Sequence, residues 1–342
     1  VGSLRYKRVD LDAFLLAGII AGIIGILQYF KFNPFGMKTG LVGNSQWIFS
    51  STIGNVNTYT SYLALLLGVG VVLFIQEKMA CRKVFYLLAV VITMVSLVAG
   101  ISDNSYITFM VLLGLLPLYL FVDLNGIKQY SLMISILLSI LLFFGWVNSA
   151  IPEHVIGIEG LFQVIIRFRG LPYISVAAWG LTLMFYVIVG KRGPICNRKK
   201  SNIGRWIWLG GLIVAAVILL AVLYDVNVLG NVNRYEALKN YLLFDDNWGT
   251  HRGYIWRIAF ESYKKFPLLH KIFGYGPETF GIMAVRDYLD EAGRLYNEKF
   301  DNAHNEYVHY FFTIGIAGLT AYLVLLINKL YYLYYFQVHL YH

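Results

Sequence analysis

The stretch Asp301-Asn302-Ala303-His304-Asn305-Glu306-Tyr307 sets an imidazole among amides and carboxylates. It lies where a long polar segment gives way to an apolar run, Tyr307–Ile327. A titratable His at a boundary between water and a membrane is suited to moving protons near neutral pH. The competing reading of His304 is structural: an interfacial residue at a helix start, with Asn305 capping the helix.

The elements that would position such a group are membrane spans. The chain has 342 residues, 58% of them hydrophobic and 14% charged, where soluble domains carry roughly 25% charged residues. Mean hydropathy is +0.63. Net charge is +9, but the basic residues sit in short loops between apolar runs rather than on one patch. That pattern fits a topology signal and not nucleic-acid binding. No cleavable signal pattern is present; the chain opens on Val1 rather than Met and stops in a Tyr-rich tail at His342, so further residues are expected at both ends.

Length and apolarity predict an all-α, polytopic bundle of about eight spans. They are Leu11–Phe30, Tyr59–Ile75, Val84–Ile101, Ser105–Val122, Tyr130–Val147, Leu171–Gly190, Trp206–Tyr224 and Tyr307–Ile327. Eight spans place Arg5, Lys7, Arg8, Lys78, Arg82, Lys83, Lys128, Lys191, Arg192, Arg198, Lys199, Lys200, Arg205 and Lys329 on one side, which the positive-inside bias makes cytoplasmic. Cys81 and Cys196 fall on that reducing side, so no structural disulfide is implied. The outer side receives residues 31–58, a tight turn near Ser102–Asn104, residues 148–170 and the polar segment. The chain thus reads as spans one to seven (1–223), a large, partly helical extracytoplasmic loop (224–305), and a last span with an aromatic interfacial tail (306–342).

The polar loop holds 21 of the chain's 47 charged residues in under a quarter of its length. A connector this long in a compact protein usually has a function. Arg252–Phe266 reads as an amphipathic helix with Ile255, Ile258, Ala259 and Ser262 on one face, stopped by Pro267. Arg252 and Trp256, four apart, share a face. Gly274-Tyr275-Gly276-Pro277 reads as a turn, and Phe280–Ala292 as a second helix.

The ordered set Arg252-Gly253-Tyr254-Ile255-Trp256, Phe266-Pro267-Leu268-Leu269, Gly274-Tyr275-Gly276-Pro277 and Ala303-His304-Asn305-Glu306-Tyr307, followed by Gly315 and Gly318 within the last span, resembles the signature region of the bacterial O-antigen ligase and polymerase superfamily. Gly54-Asn55-Val56-Asn57 resembles that family's Gly-Asn-x-Asn element at the outer start of a span. Two departures stand out. Ser102-Asp103-Asn104-Ser105 lacks an Arg often found near that turn, and His270 stands where a Gly is commoner.

The resemblance implies a multi-pass protein of the bacterial cytoplasmic (inner) membrane. It would move a glycan from an undecaprenyl-pyrophosphate carrier to an acceptor hydroxyl on the outer face. Its partners would be the lipid-linked donor, a glycan, lipid or protein acceptor, and membrane lipids. His304 becomes the candidate base. Arg252 and Arg169 become candidate contacts to the leaving pyrophosphate, since a planar guanidinium suits phosphate oxygens. Arg167 is a further candidate, because an Arg on the outer side runs against the topology bias; a snorkelling anchor is its alternative. Asn305, Asn55 and Asn57 are candidate sugar or phosphate contacts, with helix capping as the alternative. Trp256 and Tyr275 are candidate sugar platforms, with packing as the alternative. Arg257 points off the Arg252 face, and Glu153, His154 and Glu159 are minor acid–base candidates.

Asp245-Asp246 lacks the partners a metal site needs, and no cofactor is expected. P-loop, Ser-His-Asp and Cys-His patterns are absent, which removes support for ATP use and acyl chemistry. The runner-up function is a transporter or flippase of lipid-linked oligosaccharide; such a protein should carry charges or broken helices near mid-bilayer.

Overall fold

The computed structural model describes residues 8–191 and 201–339. Arg5, Lys7, Arg192, Cys196, Arg198, Lys199, Lys200 and His342 lie outside the described residues. The chain is all-α and divides into two compact units, Val1–Ile213 and Val214–His342. Seven described helices are long and apolar enough to cross a membrane.

The first unit contains α1 (Arg8–Tyr29), α2 (Asn44–Ile48), α3 (Val56–Gln76), α4 (Ala80–Ala99), α5 (Asp103–Leu120), α6 (Leu124–Ala150), α7 (Gly160–Ile166), α8 (Leu171–Lys191) and the start of α9 (Ile203–Asn227). Its core mixes aliphatic and aromatic side chains, with Leu15, Leu63, Leu66, Leu67, Val90, Met94 and Leu97 almost fully buried beside Tyr29, Tyr59, Tyr86 and Phe144. Glycine lets α1 approach α3: a Cβ on Gly18 would lie 2.2 Å from the Leu66 side chain, and one on Gly25 would lie 2.0 Å from the Tyr59 hydroxyl. Leu16, Ile20, Leu65, Val72 and Leu181 stay exposed, as lipid-facing surfaces require.

The two ends of this unit differ chemically. At one end Arg8 pairs with Glu77, Lys83 reaches the Glu77 carbonyl, and Ser201 N–H donates to the Val122 carbonyl at 2.8 Å. At the other end Tyr106 donates to the Glu159 carbonyl at 3.3 Å, and Ile156 N–H donates to the Tyr29 carbonyl at 2.9 Å. The described basic residues of the predicted inner loops Arg8, Lys78, Arg82 and Lys83 therefore share an end, while α7 with Arg167 belongs to the opposite one.

α9 carries the chain into the second unit, which continues with α10 (Lys239–Leu242), α11 (Trp248–Lys265), α12 (Leu268–Phe273), α13 (Thr279–Tyr296), α14 (Glu306–Thr313) and α15 (Gly315–His339). The polar segment has a core of its own. Tyr254, Ile255, Ile258 and Ala259 of α11 pack with Phe280, Met283 and Ala284 of α13, with Phe312 of α14, and with Phe300 and Ala303. The apolar stripe read in α11 is thus its buried face, joined by Ser262.

One expected element is not continuous. The apolar run Tyr307–Ile327 divides into α14 and α15 at Ile314–Gly315, where Gly315 adopts φ +65°. Gly315 therefore opens a helix rather than lying inside one. Apolarity shows that a stretch is buried; it does not reveal a break made by one glycine. The tail is helical to His339, with Tyr331 and Tyr332 exposed.

Candidate functional site

The polar segment is built around α11. Its helical backbone starts at Arg252, because Gly249, Thr250 and His251 all hold positive φ. A Cβ on Gly253 would lie 1.9 Å from the Asp245 carbonyl oxygen, so the Asp245-Asp246 loop lies against the helix at a place where a side chain cannot stand.

That contact brings Asp246 to Arg257. The guanidinium donates to both Asp246 oxygens at 3.0–3.1 Å, to Glu261 at 3.2 Å and to Glu291 at 3.0 Å. These hydrogen bonds, Asp246 foremost, hold the Arg257 proton more tightly than usual. Arg257 also lies over the Tyr254 ring, 5.0 Å from its centroid. Burial, reinforced by Glu291, pushes the Tyr254 hydroxyl up to about 12. Asp246 is therefore committed to a cation of the protein. Arg252, half-buried on the same helix, forms no ion pair among the described residues.

Trp256 connects α11 to the His304 stretch. Its indole N–H donates to the Ala303 carbonyl at 3.0 Å, and its ring lies 5.4 Å from Trp248. Ala303 is fully buried, and the next residue, His304, turns outward with φ +47°. The Asn302 side chain holds that turn by accepting the His304 backbone N–H at 2.8 Å. Arg252 lies one helical turn before Trp256 on α11, and His304 follows the carbonyl that the indole holds. The Trp256 N–H is thereby engaged with backbone.

His304 is exposed and lies just outside the helix, so the capping role falls to Asn305 alone. Asn305 Oδ1 accepts the Tyr307 and Val308 N–H groups at 2.9 and 3.2 Å. The first orphan donors of α14 are thereby satisfied within the protein.

Tyr275 sits elsewhere. Its N–H and that of Gly276 donate to the Phe312 and Thr313 carbonyls at 3.1 and 2.9 Å. Its ring stacks on His270 at 3.8 Å, with an interplanar angle of 4°. It thus stands at the opposite end of α14 from His304, roughly 10 Å along the axis at 1.5 Å rise per residue. The close approach uses glycine on both sides: a Cβ on Gly274 would lie 2.3 Å from the Thr313 carbonyl oxygen, and one on Gly315 would lie 2.3 Å from that of Ile272. In the sequence the Gly-Tyr-Gly-Pro turn and the later glycines stand as separate features. They are two faces of one contact, signalled only by their both being glycine.

In the first unit Asn55 caps α3, its Oδ1 accepting the Asn57 and Thr58 N–H groups. Asn57 Oδ1 accepts from the Ser102 hydroxyl at 2.9 Å, and Asn104 Nδ2 donates to the Asn57 carbonyl at 3.2 Å. The Ser-Asp-Asn-Ser turn thus meets the Gly-Asn-Val-Asn element through neutral polar groups. Arg167 and Arg169 are exposed between α7 and α8.

Among the described residues no cluster of His, Cys, Asp and Glu has the form of a metal site. Residues 164–323 match the family model described as O-antigen ligase, just under half of the chain. No curated protein and no solved structure matches the chain. The matched stretch includes Arg167, Arg169, Arg252, Trp256, Tyr275, His304 and Asn305, and supports membrane glycan ligase or polymerase-type activity. Over residues 164–323 the chain is similar to the O-antigen ligase family.

Proposed function

We propose that the chain is a membrane glycosyltransferase that moves a glycan from an undecaprenyl-pyrophosphate carrier to an acceptor hydroxyl. The observation that supports this is the Trp256–Ala303 hydrogen bond, which ties the helix of Arg252, a cation with no ion pair among the described residues, to the residue before the outward His304 inside the family-matched segment. The end of the first unit carrying Arg8, Lys78, Arg82 and Lys83 is read as cytoplasmic, which puts Asn55, Asn57 and Arg167 on the outer face of a bacterial inner membrane.

The reaction is proposed as a direct, inverting displacement. The acceptor oxygen attacks the anomeric carbon while its proton passes to the His304 imidazole. The bond from that carbon to the phosphate oxygen breaks, and the lipid pyrophosphate leaves with the electron pair. Arg252, with Arg169 and Arg167 as further contacts, meets the charge that develops on it, the role otherwise open to a metal ion. Asn305 Nδ2, Asn55 and Asn57 are proposed sugar or phosphate contacts, and Tyr275 a contact more remote from the base.

The test is purified protein in lipid, incubated with a carrier-linked oligosaccharide and candidate acceptors, with product length read on a gel. A ladder indicates polymerisation and one discrete shift indicates ligation. A general base contributes about 10²–10⁴ in rate, so correctly inserted His304→Ala should lose at least about 100-fold. Wild-type turnover by that variant would end the proposal.

A further inference from the structure

The end of the first unit that carries Asn55 and Asn57 also holds a cavity of about 260 Å³, its walls including Gln28, Lys31, Phe32, Asn33, Lys38 and Ile156. Gln28 is only 4% exposed. Its Oε1 accepts the Ser51 N–H at 2.6 Å, so the other terminal atom must be the NH₂ donor. Ser51 is itself fixed, its hydroxyl donating to the Ala21 carbonyl at 2.6 Å. Gln28 Nε2 is buried, and it has no partner among the described residues. A buried donor so placed calls for an acceptor.

The charged walls have the same sign. Lys31 donates to the Glu153 carbonyl at 2.6 Å, which orients the ammonium and leaves its charge uncompensated. The Lys38 ammonium forms no ion pair among the described residues, and burial pulls its pKa below the usual lysine value. Asn33 Oδ1, an acceptor in the wall, is taken by the Lys38 backbone N–H at 3.0 Å. No carboxylate lines the cavity.

We propose that this cavity binds the phosphate group of a phosphate ester, with Lys31 Nζ, Lys38 Nζ and Gln28 Nε2 as its donors. Two ammonium charges match the roughly −1.5 to −2 of a phosphate monoester, and donors converging from separate segments suit a tetrahedral anion better than a planar one. Phe32 and Ile156 supply an apolar flank for the carbon skeleton that bears the phosphate. The ester is either a lipid headgroup or a soluble sugar phosphate. The site requires none of the transfer chemistry proposed above.

The experiment titrates inorganic phosphate into the full chain in phosphatidylcholine nanodiscs at low salt, followed by ³¹P NMR. Saturable binding is expected. It should weaken about tenfold or more in Lys38→Gln and in Gln28→Glu, which keeps the acceptor for Ser51 and replaces the donor by an anion. It should persist within about twofold in Lys38→Arg, which keeps the charge, and in Lys239→Gln, which lies in the other unit. Repeating the titration with phosphatidic acid, a lipid phosphomonoester, in the disc separates the sources: competition identifies a lipid phosphate, and unchanged binding identifies a soluble ester, both supporting the site. Absence of saturable binding by the wild type, or equal affinity in a Lys38→Gln protein with wild-type melting, overturns it.

Discussion

Replacing Gly315 by alanine tests why the last apolar run is broken. Two costs add. An alanine at φ +65° pays about 1–2 kcal/mol for left-handed backbone. The new Cβ would also lie 2.3 Å from the Ile272 carbonyl oxygen and 2.6 Å from the Gly274 nitrogen. Both are backbone atoms, so no side chain can swing away. Restoring ordinary contact requires the Gly274–Gly276 loop to retreat by roughly 1 Å. That stretches the Tyr275 and Gly276 N–H bonds to α14, at 3.1 and 2.9 Å, beyond hydrogen-bonding range. Losing them costs about 0.5–1.5 kcal/mol each, for a total of about 2–5 kcal/mol. Gly276→Ala is the matched control: its φ is +97°, but nothing lies within 4 Å of the added Cβ. The backbone strain is common to both variants, so the difference is the lost hydrogen bonds, about 1–3 kcal/mol, and thermal melts of the full chain in nanodiscs should put Gly315→Ala below Gly276→Ala by about 2–6 °C. Equal melting temperatures would refute the packed-loop explanation and leave only backbone strain.

Trp256→Phe keeps the ring but removes the donor to Ala303. Freeing that carbonyl should cost about 1 kcal/mol and lower glycan transfer about fivefold with the shape of the pH–rate profile retained; an unchanged rate would detach the indole from the site. Tyr254→Phe removes a buried hydroxyl that has no partner among the described residues, so its melting temperature at pH 7 should equal or exceed wild type. The same hydroxyl, raised to about 12 from an ordinary value near 10, contributes stability that is complete below pH 10 and lost as pH rises toward 12. Melts across that window should show a shallower decline in the variant, and parallel curves would contradict the assigned burial. Arg257→Gln leaves Asp246, Glu261 and Glu291 without their shared cation. At separations on the order of 10 Å from Arg252, donor affinity should fall about threefold at physiological salt and further at low salt, read by donor titration; a salt-independent loss would point to misfolding instead.

The spans were legible because apolar length is a direct requirement of the bilayer: seven of the eight predicted segments fall on described helices long enough to cross it, their ends differing by up to six residues, at the start of α6. The stripe of α11 was legible for a similar reason: Ile255, Ile258 and Ala259 recur at helical spacing, and they are the residues buried. What escaped were facts of tertiary approach. The Gly274–Gly315 contact joins residues 41 apart through backbone atoms, and no side-chain pattern announces it. The Trp256 bond to Ala303 likewise ends on a carbonyl, a group every residue possesses. Asp245-Asp246 invited a metal reading that the sequence could weigh only by the absence of further ligands. Its actual partner, Arg257, lies 11 residues on and becomes visible once Gly253 brings the two segments together.

The two guanidiniums of α11 differ in their surroundings, and that difference bears on the proposed anion contact at Arg252. Arg257 gathers three carboxylates from three places in the segment and is balanced by them. Without that gathering, the same carboxylates would compete for Arg252 or repel a phosphate near it. The division follows from helical geometry: positions 252 and 256 share a face, whereas 257 is turned about 100° from 256 toward the Asp246 loop and Glu291. A face with a guanidinium that has no ion pair among the described residues and an indole fixed to backbone is thereby kept separate from a face whose cation is balanced by carboxylates. Net charge over the segment cannot express that distinction, since its acidic and basic residues nearly cancel; which cation remains free of carboxylates is decided by where the helix turns each one.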